Sequence, residues 1–221
     1  MIYALFFFVE LLTLFLLSRK LTRTISLTVY RMTHSKKATI YTIAFLFFPG
    51  TLIHELAHAI TAGVLGVRVG HMEFFPQIEG EKVKLGSVQV GQTDPIRRFL
   101  IGAAPFFVGT SLLLAVLYYA AQNDLFSNYW AVAIIGYVVF EIGNTMFSSS
   151  KDMEGALEFL GVVVIIAIIL FGIGLRLPDI RPEVIFGNPM VETVFKQGSL
   201  FLLAPLVLDL IVILLLHPRK R

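Results

Sequence analysis

Long apolar runs separated by short polar stretches set the pattern of this chain. Crossing a bilayer takes about 20 predominantly apolar residues per helix, and six runs approach that length. The first, Ile2 to Leu17, ends at Ser18-Arg19-Lys20. It has no basic segment before it and no small-residue cleavage site, so it reads as a retained helix rather than a signal peptide. Residues 18–37 are polar and basic, with Leu21, Arg23, Ile25, Leu27 and Val29 on alternate positions. That period of two permits a short strand, and an interfacial helix fits equally. The second run covers about 38–65 and is interrupted by Pro49-Gly50.

The next thirty or so residues change character. Val67-Arg68-Val69 and Met72-Glu73-Phe74-Phe75 precede a turn region around Gly80, and Val83-Lys84-Leu85 and Val88-Gln89-Val90 follow it. Gly86 marks a slip in the alternation, so the segment reads as a β-hairpin with a bulge. The remaining runs cover about 99–121, 129–147, 156–175 and 200–216. Gly102-Ala103-Ala104-Pro105 lies near the start of the third run, and a loop with two prolines, 176–196, precedes the last. The pattern predicts an all-α polytopic membrane protein of about six transmembrane helices, with a β-hairpin after the second. With no internal repeat, residues 1–221 form one domain.

Composition narrows the class. The chain is 57% hydrophobic and 15% charged, against about 25% charged in soluble domains. This excludes a soluble globular protein, a disordered chain and a nucleic-acid-binding module. The net charge is only +3, and the basic residues flank apolar runs as membrane anchors do. The bilayer is therefore an expected partner, nucleic acid is not, and a multi-pass location in the cell membrane follows. No cysteine is present, so disulfides, thiolate metal sites and cysteine nucleophiles are excluded. With six spans, Lys and Arg divide nine against nine between the two sides, and loop charge gives no orientation.

Inside the second run stands His54-Glu55-Leu56-Ala57-His58, an H-E-x-x-H motif. On a helix, the two histidines lie one turn apart on one face and can reach one zinc ion. Glu55 sits close enough to take a proton from a water that the metal activates. With five histidines and ten glutamates, chance would produce this pattern in roughly one such sequence in 200. Three ionisable groups within five residues of an apolar span are expensive and usually mark function. Ala57, Ala59, Ala62 and Gly63 suit close helix packing. A catalytic zinc needs a third protein ligand. The candidates are His34, His71, His217, Glu141, Asp152, Glu154, Glu158 and Asp209, and residue chemistry alone does not choose among them.

With this motif, hairpin and later helix, the region 40–160 resembles the site-2 protease family of intramembrane zinc metalloproteases. That family carries H-E-x-x-H in one membrane helix, then a β-hairpin and a helix with a small-residue/Pro turn. A later helix ends in N-x-x-P-x-x-x-L-D-G, whose Asp is the third ligand. Asn144 to Asp152 keeps that spacing, with Phe147 for Pro, Lys151 for Leu and Met153 for Gly; Gly155 arrives two residues late, and Gly102 to Pro105 loosely matches the earlier turn. The resemblance implies that His54, His58 and Asp152 hold Zn2+, that Glu55 is catalytic, and that Asn144 lies near the substrate. It also implies a cytosolic N-terminus, with the metal near the cytosolic side and the basic stretch 18–37 facing outward.

The expected activity is hydrolysis of peptide bonds in or near transmembrane segments of membrane-protein substrates. Such a substrate must unwind locally, and the hairpin strands, through Val83, Leu85, Val88 and Val90, would offer it a pairing edge. Two alternatives stay open: another integral-membrane zinc protease with a Glu third ligand, and a non-catalytic zinc-binding scaffold or transporter. An intact Glu55 argues against the second, since a purely structural site needs no base.

Overall fold

The computed structural model describes residues 2–73, 77–79, 82–84, 86–147, 152, 154–172 and 188–216. At 77–79, 82–84, 154–157, 167, 170 and 171 it describes the backbone alone. The described residues form a mainly helical protein: α1 (Ile2–Thr33), α2 (Lys36–Leu46), α3 (Phe48–Val64), α4 (Pro95–Gln122), α5 (Tyr129–Thr145), α6 (Glu154–Gly172) and α7 (Pro189–Leu216). Between α3 and α4 lie four short strands, β1 (Val69–Glu73), β2 (Gln77–Glu79), β3 (Lys82–Lys84) and β4 (Ser87–Val90). Among the described residues α1, α4 and α7 are long and apolar enough to cross a membrane, and α5 is a shorter apolar helix. The α2–α3 pair passes the same test as one unit but is bent by 68°.

The basic stretch after the first apolar run is helical, which removes the strand alternative. From Leu11 onward the buried positions of α1, Leu11, Leu14, Ser18, Leu21 and Ile25, step by three and four residues, the spacing of one helix face. Alternation of Leu21, Ile25 and Val29 with polar residues contains a period of four as well as two, and packing selects the longer one. Leu21 and Ile25 bury against Ile43 and Phe47 of the returning chain and Ile213 of α7.

Helices α1 and α7 lie side by side in the same direction. Phe7 stacks edge-on against Phe195 and packs on Gly198. Further along, Leu14 meets Pro205 at Gly143, and Leu21 and Ile25 meet Ile213. Parallel first and last spans require an odd number of crossings, so the six-span count and its nine-to-nine charge division do not hold. Helix α4 runs opposite to both: Leu114 lies at the level of Phe7 and Gly198, whereas Phe106 reaches Phe147, which stacks on Phe15. The chain thus leaves α1 and enters α4 at the same end. The bent α2–α3 pair between them makes no net crossing.

The hairpin forms as its alternation predicts, in two ladders. β1 pairs antiparallel with β4, Met72 opposite Val88 and Glu73 opposite Ser87. β2 pairs with β3, Ile78 opposite Val83. The register irregularity lies on β1 between Val69 and Met72 rather than at Gly86, which joins the two ladders. The turn residues around Gly80, Leu85, Ser148 to Lys151, Met153, the greater part of the 176–196 loop and His217 to Arg221 lie outside the described residues.

Candidate metal centre

Helix α3 begins at Phe48 with Pro49 in its first turn, where a missing N–H costs nothing. The first-turn N–H of Gly50 donates to the Glu141 carboxylate of α5 at 3.0 Å. A side chain at position 50 would run into Thr145, so glycine lets the two helices touch. This contact sets His54 beside the C-terminal end of α5 and His58 beside the start of α4.

Each histidine donates its Nδ1–H to a main-chain carbonyl, His54 to Thr145 at 2.6 Å and His58 to Ile101 at 2.7 Å. Both carbonyls lack an intrahelical N–H partner. Thr145 closes α5, where the last carbonyls have no intrahelical donor. Ile101 stands four residues before Pro105, inside α4, and proline has no N–H to offer it. A carbonyl only accepts, so Nδ1 carries the hydrogen in each neutral ring and each Nε2 presents a lone pair. The two Nε2 atoms lie 3.2 Å apart.

Asp152 completes the cluster. Its carboxylate oxygens stand 3.7 Å from the His54 Nε2 and 3.5 Å from the His58 Nε2. Gly102 makes room for it, since a side chain there would run into the Asp152 carbonyl oxygen. His54, His58 and Asp152 are the group among the described residues that can hold a metal ion. The residues fit one: two nitrogens bound to a tetrahedral zinc at about 2.0–2.1 Å lie about 3.3 Å apart. Two facing lone pairs at this separation repel, and a shared cation removes that repulsion.

Glu55 is buried beside the cluster, and its carboxylate lies against the start of β4 at Gly86. Gly86 permits this approach, because a side chain there would meet Thr51 and Glu55. Gly91 donates its N–H to Arg68 on the β1 side. Strand alternation then turns Ser87 and Gln89 toward β1, and the backbone of Val88 and Val90 away from it. The outer edge of β4 therefore faces Glu55. Val83 pairs within the outer ladder.

The other candidate ligands have different surroundings. His34 occupies the α1–α2 turn with φ 50°, and His71 is exposed on β1. Glu158 pairs with Arg98 at 2.9 Å, while Glu154 begins α6. Asp209 of α7 is fully buried and accepts from the Asn144 Nδ2 at 2.7 Å. Asn144 also donates to Phe140 at 2.9 Å. Its two amide hydrogens are thus directed at protein acceptors, and its side-chain oxygen is buried with no hydrogen-bond partner among the described residues. The sequence placed Glu141 in packing with a polar partner, which is the Gly50 N–H, but left that partner unnamed; it missed the Asn144–Asp209 pair and the role of Pro105, of which only Pro105, four residues after a helical position, carried a signal. At the head of α4, Asp94 caps the Ile96 and Arg97 N–H groups, and the Arg97 N–H holds its carboxylate below the ordinary range.

No protein-family model, curated protein or solved structure matches this chain.

Proposed function

We propose that the protein is an intramembrane zinc metalloprotease that hydrolyses peptide bonds in or near transmembrane segments of other proteins. The observation that carries this reading is the meeting of a three-ligand cluster, a buried carboxylate and an outward-facing strand edge at one place. His54, His58 and Asp152 would hold the zinc, which when bound supplies a Lewis acid and lowers the pKa of water. Glu55 takes the proton of the attacking water and delivers it to the leaving nitrogen. The C–O bond to the water oxygen forms first and makes the carbonyl carbon tetrahedral; the C–N bond then breaks as Glu55 protonates the leaving nitrogen. An unwound substrate pairs with the β4 edge at Val88 and Val90. The surrounding helices enclose polar groups that lipid cannot satisfy.

The test compares tagged membrane substrates with wild-type protein and Glu55→Gln, reading cleavage and bound zinc together. Loss of cleavage with zinc retained is expected, because the amide cannot act as a base. Wild-type turnover in the variant would remove Glu55 from this role, and zinc binding with no cleavage of any membrane substrate by wild type would favour a scaffold.

A further inference from the structure

Between Glu10 and Glu55 the sequence has no acidic residue, yet it carries Arg19, Lys20, Arg23, Arg31, Lys36 and Lys37. All six are exposed. Among the described residues none forms an ion pair, and Arg19 rests its guanidinium over the Phe15 ring at 4.3 Å. Their height relative to a bilayer follows from the helix levels. At the junction of α4 and α5, Tyr118, Tyr119, Tyr129 and Trp130 are exposed, as aromatic residues at a membrane surface are. Leu114 is level with Phe7, so antiparallel Tyr119 is level with the first residues of α1. A hydrocarbon core of about 30 Å takes about 20 residues of helix, which brings the opposite surface to about Thr22. Arg19, Lys20 and Arg23 stand at that surface. The rest of α1 overhangs by about 16 Å, with Leu27, Tyr30 and Met32 exposed among its cations.

Other cations gather at this same end. Arg97 and Arg98 open α4. The α4–α5 turn at the opposite end has no Lys or Arg. Clustered cations beside a membrane span favour the cytoplasmic leaflet, where the anionic lipids are.

We propose that Arg19, Lys20 and Arg23, with the overhang of α1 above them, form a binding surface for the headgroups of anionic phospholipids. The lipid phosphates supply the counter-charge that the chain itself withholds. The surface lies at the metal-cluster end, which this assignment turns toward the cytoplasm. It rests on neither the metal nor the activity.

The test reconstitutes the full chain in mixed phosphatidylcholine and phosphatidylglycerol vesicles, then measures by mass spectrometry the lipids retained through mild detergent extraction. Wild type should retain phosphatidylglycerol above its bulk share, and the excess should fall as salt rises. The triple variant Arg19→Gln, Lys20→Gln, Arg23→Gln should lose that excess, at about fivefold per cation at low salt. Lys196→Gln at the opposite end should keep it, and a charge-preserving Arg19→Lys, Arg23→Lys variant should largely restore it. Thermal melting in phosphatidylcholine vesicles checks that the triple variant is folded. Retention at the bulk share in wild type would overturn the proposal, as would an excess untouched by the triple change or by salt. Displacement of the lipid by millimolar inorganic phosphate would also overturn it, assigning the surface to free phosphate.

Discussion

Pro105 acts on the metal cluster without touching it, by leaving the Ile101 carbonyl free for the His58 Nδ1–H. Pro105→Ala restores an N–H aimed at that carbonyl and introduces a competitor. Partners that orient metal ligands typically govern 10–100-fold in affinity or activity, and we expect about a tenfold loss of zinc affinity in a chelator competition, with the helix itself no less stable. Unchanged affinity would show that one carbonyl serves both donors. Asp152→Ala should purify folded, zinc-poor and inactive, while Glu154→Ala keeps its metal; the reverse ranking would transfer the ligand to Glu154. The sequence made His54, Glu55 and His58 legible because helical spacing alone puts them on adjoining faces. Asp152 was reachable only through a resemblance, since nothing in its own surroundings distinguishes it from Glu154 or Glu158. The carbonyls of Thr145 and Ile101 were not legible, because main-chain groups carry no residue identity.

Among the elements, β4 has the most to do with its setting. One of its edges pairs with β1, and the other, the Val88 and Val90 backbone, faces away from β1 on the Glu55 side. Val90 is the farther of the two along the chain from Gly86, where the carboxylate of Glu55 lies, which makes it the cleaner position for a test. Val90→Pro removes a backbone donor from the free edge, so cleavage of a helical membrane substrate should fall while bound zinc, measured by elemental analysis, stays near wild type. Equal losses of both would make the hairpin a structural connector. The hairpin was legible from alternation over a bounded segment. The length of α1 was not, because a repeat of four residues in Leu21, Ile25 and Val29 also satisfies a repeat of two. The bulge fell on β1 for a similar reason: sequence shows a slip of phase, and pairing decides which strand absorbs it.

At the scale of the molecule, apolar runs identified a membrane protein, but the direction of each run came only from packing. Phe7 against Phe195 and Ile25 against Ile213 make α1 and α7 parallel, and α4 starts at the end where α1 stops, so the pair α2–α3, bent by 68°, lies between two points on one side. Run length cannot distinguish such a re-entry from a crossing. Under this topology an N-terminus in the cytosol and a metal cluster near the cytosol are incompatible expectations, and the cation distribution favours the second. The cluster also draws on chain segments far apart in sequence: His54 and His58 from α3, a carbonyl from α4, another from the end of α5, and Asp152 after it. During synthesis, a ribosome that has emitted every residue through α5 has delivered only two of the three ligands. An interrupted translation product released into the membrane at that stage would hold His54, Glu55 and His58 but no complete cluster, so the metal site itself would be withheld from unfinished chains by the order of the message alone.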